Sequence, residues 1–258
     1  MVTLQSKQPC ADTWILEHLE QRLALSAVPI HPFTLLSGGP NAAVQRAAAD
    51  APEVPAPARA RDLVPTGRTR FWVLEPGFTT IFAGNEDGQH KRLTITVTPK
   101  TRIIDGIRTR IVLERQTANG HIEEVSENFI VIDRKTLNVF YFGEDVNIYN
   151  HGVVVSHESQ WRSGVDGAKF GLIMPANPTL GTVFLQERAP GIAQDMAEVI
   201  ETGRRAHEPA GVFSGSFKTR ETTPLEPDEI EYKWYAPGIG LVQDVTLELV
   251  SVSGGTSN

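Results

Sequence analysis

The stretch EIEYKWYAP, residues 229–237, alternates strictly: Ile230, Tyr232 and Trp234 fall on one side, and Glu231, Lys233 and Tyr235 fall on the other. A sustained period of two belongs to an extended strand, whose successive side chains point to opposite faces, and not to the apolar stripe of a helix. The pattern recurs. In RLTITVTP, residues 92–99, Leu93, Ile95 and Val97 oppose threonines, and in DVTLELVSV, residues 244–252, Val245, Leu247 and Leu249 share a face. Half-buried antiparallel strands are the expected outcome.

Turn residues punctuate these runs: NEDGQ at 85–89, IDGI at 104–107, ANGH at 118–121, YNHG at 149–152 and APGIG at 236–240. Glycine after Asp, Asn or His supplies the positive φ that tight hairpins need. The predicted fold class is therefore all-β, a curled antiparallel sheet or open barrel of about ten strands. One run, GIAQDMAEVIETGRRAHE at 191–208, reads both ways. Ile192, Met196, Val199 and Ile200 suit a helix, whereas Ala197 and Val199 beside a glycine suit a strand.

The N-terminal quarter differs. In DTWILEHLEQRLALSAVPI, residues 12–30, Leu16, Leu19 and Leu23 stand at helical spacing with charged residues between them, which predicts a short amphipathic helix. It feeds GGPNAAVQRAAADAPEVPAPARARDLVPTG at 38–67, where alanine and proline leave too little apolar surface to offset the entropy of ordering. The chain divides accordingly into a leader with its helix (1–38), a disordered linker (39–70), one β-domain (71–252) and a short tail (253–258).

Charge and composition exclude several classes. Residues 1–70 carry seven of the 24 Lys and Arg and six of the 31 Asp and Glu, which leaves 17 against 25 in the remainder. So acidic a body repels a phosphate backbone, and no nucleic-acid partner is expected. The single cysteine, Cys10, allows no internal disulfide and lies in the polar leader. No apolar run approaches the roughly 18 to 20 residues of a membrane-spanning helix, so the chain reads as other than an integral membrane protein. Neither GxGxxG, P-loop, G-x-S-x-G, H-E-x-x-H nor C-x-x-C spacing occurs, so no metal, nucleotide or flavin cofactor is expected.

Two resemblances add to this. LEHLEQRLALSA resembles the LEPR-XLL type of N-terminal motif, found near the start of exported and cell-surface proteins of planctomycete-type bacteria. Leu16, Glu17, Leu19, Glu20, Arg22, Leu23, Leu25, Ser26 and Ala27 match, and Gln21 stands where proline is usual. The motif implies an extracytoplasmic address, secreted or at the cell surface. FWVLEPGFTTIF, YFGEDVNIY, SQWRSGVDGAKFGLIMPANP, RETTPLEP and YKWYAPGIGLVQDV, in order over 71–245, together resemble an uncharacterised family of exported bacterial β-proteins. The last segment is also similar to one in lipocalin-like or clam-shaped β-domains of envelope proteins. The resemblance implies a fold and a setting, and no chemistry.

The candidate site lies in YFGEDVNIYNHGVVVSHESQW, residues 141–161. His151 and His157 are roughly 20 Å apart along a straight strand, too far to share a metal. Across the hairpin, one turn register sets Glu144 opposite His157 and another sets Asp145 there, so either gives the histidine a carboxylate partner. Such a pair is first a structural bridge, with ligand binding and acid–base catalysis by His157, Glu144 or Asp145 as the alternatives. Phe140, Phe142, Trp161, Tyr232 and Trp234 are the aromatic candidates for lining a ligand pocket, with Arg220 as a polar one. Three functions remain open: a non-catalytic domain binding a small apolar ligand, an acid–base lyase or hydrolase on extracellular glycans, and a module recognising a cell-surface component.

Overall fold

The computed structural model describes residues 53–57, 59–86 and 88–254; the predicted leader helix, Cys10 and the first part of the linker lie outside the described residues. The described chain is all-β. Seventeen strands follow one short 3₁₀ turn, and no α-helix occurs among the described residues. Three brief strands come first, β1 (Leu63–Val64), β2 (Arg68–Thr69) and β3 (Trp72–Val73). A long meander follows: β4 (Thr79–Glu86), β5 (Gln89–Ile104), β6 (Ile107–Ala118), β7 (His121–Asp133) and β8 (Val139–Asn150). Four short strands, β9 (Val153–Ser156), β10 (Trp161–Arg162), β11 (Gly171–Met174) and β12 (Val183–Leu185), lead to the second meander. It comprises β13 (Met196–Glu208), β14 (Gly211–Thr223), β15 (Glu226–Ala236), β16 (Gly240–Asp244) and β17 (Leu247–Ser253).

Fifteen of these strands form one antiparallel sheet, ordered β10-β8-β7-β6-β5-β4-β17-β16-β15-β14-β13-β12, with β1, β9 and β11 also paired to β7 and β8. The last strand therefore lies beside the first strand of the long meander, Leu249 opposite Phe82. The sheet does not close into a barrel. Its two ends touch through loops and not through a ladder: Lys169 N–H donates to the Arg188 carbonyl at 3.0 Å. Gly171, in β11, passes so close to the neighbouring chain that a Cβ there would lie 2.0 Å from the Gln186 oxygen, which is why glycine occupies this crossing.

Three of the predicted turns are two-residue hairpin loops. Ile104 pairs with Ile107, Ala118 with His121 and Asn150 with Val153, each across a two-residue loop. Both loop residues have positive φ in all three, at Asp105–Gly106, Asn119–Gly120 and His151–Gly152. The run at 191–208, which read both ways, is strand from Met196 to Glu208, with Ala197, Val199 and Ala206 filling buried places along β13. DVTLELVSV is not a single strand: Val245 takes a φ of 51° in a turn between Asp244 and Leu247, so it does not share a face with Leu247 and Leu249.

The body also starts before residue 71. Leu63 and Val64 pair with Asp133 and Ile132, Asp62 is buried against Arg134 at 2.9 Å, and Arg110 donates to the Pro65 carbonyl at 2.7 Å. Ion pairing and backbone hydrogen bonds anchor this end of the linker, and composition does not register them. A large apolar cluster joins the two meanders, with Phe129, Phe140, Phe142 and Trp161 from one side and Phe184, Val199, Phe217 and Tyr235 from the other. A smaller one, around Phe82, Val242 and Leu249, lies near the join of β4 and β17.

Candidate functional site

The site is assembled from a bulge, a ladder and a strap. In β8 the register slips so that Asn128 faces Glu144 while Ile130 faces Tyr141, leaving Phe142 and Gly143 opposite one residue of β7. Such a bulge turns two side chains that would alternate onto one side. Gly143 has a φ of 116°, and a Cβ there would stand 2.2 Å from the Trp161 carbonyl. Tyr141 and Glu144 thus lie together. The Tyr141 hydroxyl donates to Asn128 Oδ1 at 2.5 Å and also contacts Glu144, and the Trp161 ring meets the Tyr141 ring edge-on at 5.3 Å.

The ladder comes from the other meander. Thr219, Lys233 and Asp244 stand side by side on β14, β15 and β16, and Glu221 pairs with Glu231 one step along. Lys233 Nζ lies 3.1 Å from Glu221, 3.4 Å from Asp244 and 3.6 Å from Glu231. Glu221 Oε1 accepts from Thr219 at 3.0 Å, and from Gln186 and Tyr235 at 3.4 Å each. The strap is the chain after β12, where the N–H groups of Gln186 and Glu187 both donate to the Asp195 carbonyl.

These three parts act on one another electrically. Glu114 on β6 is pushed up to about 7 by burial and by Asp244, with Glu124 adding and Lys233 opposing. Glu187 rises to about 8 through burial and Asp195, against the Trp161 indole and Lys233. Burial together with Glu187, Glu124 and Glu114 pushes Glu144 well above the carboxylate range, and Tyr141 OH opposes the rise only in part. Asp195 moves up by burial, against Lys233 and Thr223. Burial alone would lower Lys233, but Asp244, Glu221 and Glu231 carry it well above the usual lysine value.

Glu114, Glu144, Glu187, Asp195 and Lys233 are nonetheless not sealed; each keeps part of its surface accessible, 23% for the Lys233 side chain. Groups that are deeply desolvated yet still accessible form a polar cluster, here termed the crevice, rather than a dry core. The indole N–H of Trp161, itself 4% exposed, is directed at the Glu187 carboxyl but closes no hydrogen bond of normal geometry. Trp161 also borders a cavity of about 140 Å³ at the seam between the sheet ends, lined with Gln160, Val165, Ala168, Ala189 and Ile192.

The residues singled out from sequence are scattered by the fold. Among the described residues His157 has no carboxylate partner; its Nδ1 lies 2.7 Å from the Val146 carbonyl. The reason is register: the loop is His151–Gly152, and a slip after Tyr149 sets Ile148 opposite Ser156. Asp145 pairs instead with Arg102 and Arg162 on the rim. Glu144 faces the crevice. Phe140 and Phe142 are fully buried against Phe170 at 5.6 and 5.1 Å, so no pocket is left for them to line. Tyr232 is 42% exposed, and together with Trp234 it flanks Lys218 on the opposite face of β15 from Lys233. Arg220 forms an exposed pair with Glu198. Of the aromatic candidates only Trp161 reaches the crevice. Sequence reading left out Glu114, Glu187, Asp195, Lys233 and Tyr141. For Lys233 and Glu114 the signal was the polar side of the alternation in EIEYKWYAP and in IRTRIVLER, residues 107–115; Glu187, Asp195 and Tyr141 carried none.

Among the described residues no group of His, Cys, Asp and Glu is arranged to hold a metal ion, and no helix is long and apolar enough to cross a membrane. No protein-family model, curated protein or solved structure matches the chain.

Proposed function

We propose that the chain is an extracytoplasmic binding domain of lipocalin-like kind, a cupped antiparallel sheet that takes a small polar molecule into its interior. The observation that carries this reading is the polar cluster: ionisable groups from β6, β8, β15 and the strap act on one another electrically while each keeps part of its surface accessible. Burial of so many polar groups is costly to stability, and binding sites are where proteins accept such a cost. With Phe140 and Phe142 consumed by the core, the ligand chemistry that fits is polar rather than apolar. The likeness of the leader to exported proteins supports the address.

A thermal-shift screen at pH 7 tests the binding reading, with amines, neutral polyols, small carboxylates and fatty acids as separate classes. A polar class should raise the midpoint and change Trp161 fluorescence. If none of the four does so at millimolar concentration, the reading fails.

A second reading, an acid–base enzyme acting on extracellular glycans, is favoured by one feature: burial raises Glu114 to about 7 and Glu187 to about 8, with the Lys233 ammonium acting on both. General acids and bases work best with a pKa close to the operating pH. In this reading Glu187 with Glu144 takes the role first assigned to His157. Turnover of a polysaccharide panel by the native chain and not by Glu187→Gln is the result that would favour it.

A further inference from the structure

The seam between the sheet ends holds a space of its own, and none of Glu114, Glu144, Glu187 and Asp195 is among the residues that line it. We infer that this cavity takes a small monocarboxylate whose apolar body is the size of one aromatic ring, with the body between two facing turns and the carboxylate on the Arg162 guanidinium.

Size and walls come first. The cavity measures about 140 Å³, and an apolar cavity of about 150 Å³ is enough to hold benzene. Its walls belong to two turns far apart in sequence. In the first, the Val165 N–H donates to the Arg162 carbonyl at 3.2 Å and the Ala168 N–H to the Val165 carbonyl at 2.9 Å. In the second, Ala189 and Ala193 exchange backbone hydrogen bonds at 2.8 and 3.0 Å. The bond from Lys169 to Arg188 pins the two turns together. Each turn closes on itself, so the space between them is already formed, and little ordering entropy is lost on binding. Trp161, Ala168 and Ala189 are buried around it, while Val165 and Ile192 on its border stay 51% and 43% exposed. Apolar side chains left in water beside a sheltered apolar floor suit a ligand's ring.

Arg162 is the second, independent observation. It borders the same cavity and its side chain is 32% exposed. Its Nη2 contacts Asp145, whose other oxygen is taken by Arg102, so two guanidinium groups share one carboxylate. The Arg162 Nε–H is buried and meets no acceptor. A buried donor without a partner is rare, because it has given up water for nothing. A ligand carboxylate answers both demands: it brings the second negative charge, and it brings an acceptor for a charge-assisted hydrogen bond. Gln160 adds a neutral amide to the border. Asp166 borders the cavity too and opposes an anion, but it is exposed and its repulsion is screened. A ring without a charge leaves the donor unmet. A carboxylate without a ring leaves the walls bare.

The test is calorimetric titration of the full chain at pH 7 with benzoate, benzamide and acetate. Benzoate and benzamide share the ring and differ in charge; acetate has the charge without the ring. Benzoate should bind at millimolar concentration, at least about tenfold more tightly than either of the others. Arg162→Gln should weaken benzoate by about tenfold and benzamide far less. Asp166→Asn should act in the opposite direction and tighten benzoate by about two- to fivefold. Asparagine tolerates the φ of 48° at that position, so the turn should be kept. Ile192→Trp fills the cavity from an exposed position, and should abolish benzoate binding while leaving the fold intact.

No benzoate binding at millimolar concentration, benzamide as tight as benzoate, or an affinity that neither Arg162→Gln nor Ile192→Trp changes overturns the seam site. Benzoate binding lost in Glu187→Gln and kept in Ile192→Trp also overturns it, by placing the carboxylate in the crevice, and leaves the binding reading of the crevice standing.

Discussion

Glu144 and Asp145 are consecutive residues of one strand, and the two sides of the sheet treat them in opposite ways. Asp145 turns to the rim, where Arg102 and Arg162 flank its carboxylate and the Arg102 guanidinium also lies 5.3 Å from the Phe129 ring. Glu144 turns into the crevice, where its neighbours are carboxyls, a phenol and an indole. One is a paired charge near solvent and the other a group that burial holds protonated. The difference teaches that on this sheet the partner, and not the residue type, decides what a carboxyl does. Rim charges find guanidinium groups and tie strands together. Crevice carboxyls crowd around one ammonium, and burial with mutual repulsion raises several of them.

The contrast can be broken most forcefully at Lys233. Lys233→Met removes the ammonium that Glu221, Glu231 and Asp244 share, and should cost about 3 to 5 kcal/mol in denaturant unfolding at pH 7. The loss should shrink at pH 5, where crevice carboxyls take up protons.

Glu187→Gln should act in the opposite sense. The folded-state value near 8 lies above that of the unfolded chain, so the folded form binds more protons between about pH 4.5 and 8. The stability linked to this group is complete below that window and is lost as pH rises through it. Removing the titration should flatten the decline and raise stability at pH 8 by about 1 to 3 kcal/mol, measured as unfolding free energy against pH. A variant with the parent's slope would show that the crevice does not hold that proton.

On the rim, Asp145→Asn should cost only about 1 kcal/mol, with most of the difference gone in 1 M salt, because exposed pairs are screened. A penalty as large as that at Lys233 would erase the distinction between the two sides. The smallest change is expected at His157. His157→Ala loses one hydrogen bond to a backbone carbonyl, worth about 1 kcal/mol or less, and should leave ligand affinity where it was. Calorimetry on that variant separates the hairpin end from the crevice.

The alternation in EIEYKWYAP identified a strand correctly and misled about its faces. Tyr232 and Trp234 form the apolar side of the pattern, yet Tyr232 is exposed, and the polar side with Lys233 and Tyr235 is turned inward. The rule that apolar residues point inward presumes an apolar interior. Here part of the interior is built of carboxyls, so the rule inverts locally. Tyr235 belongs to both worlds, stacked on Phe217 at 5.1 Å with its hydroxyl toward Glu221. The hairpin carrying His157 shows a second limit. Its turn was legible from Asn-His-Gly, but the slip beyond Tyr149 was not, and one residue of slip moves a side chain to the other face.

By itself the sequence determined the all-β class, the tight glycine turns and the acidic balance, because each depends on neighbouring residues or on a sum over the chain. Only the tertiary structure decided which carboxyls meet. Glu114, Glu144, Glu187 and Lys233 are brought together by long-range strand order, by the bulge at Gly143 and by the near approach of the sheet ends at Gly171. Those are properties of pairing between distant segments, and no local pattern encodes the field that the groups then impose on one another.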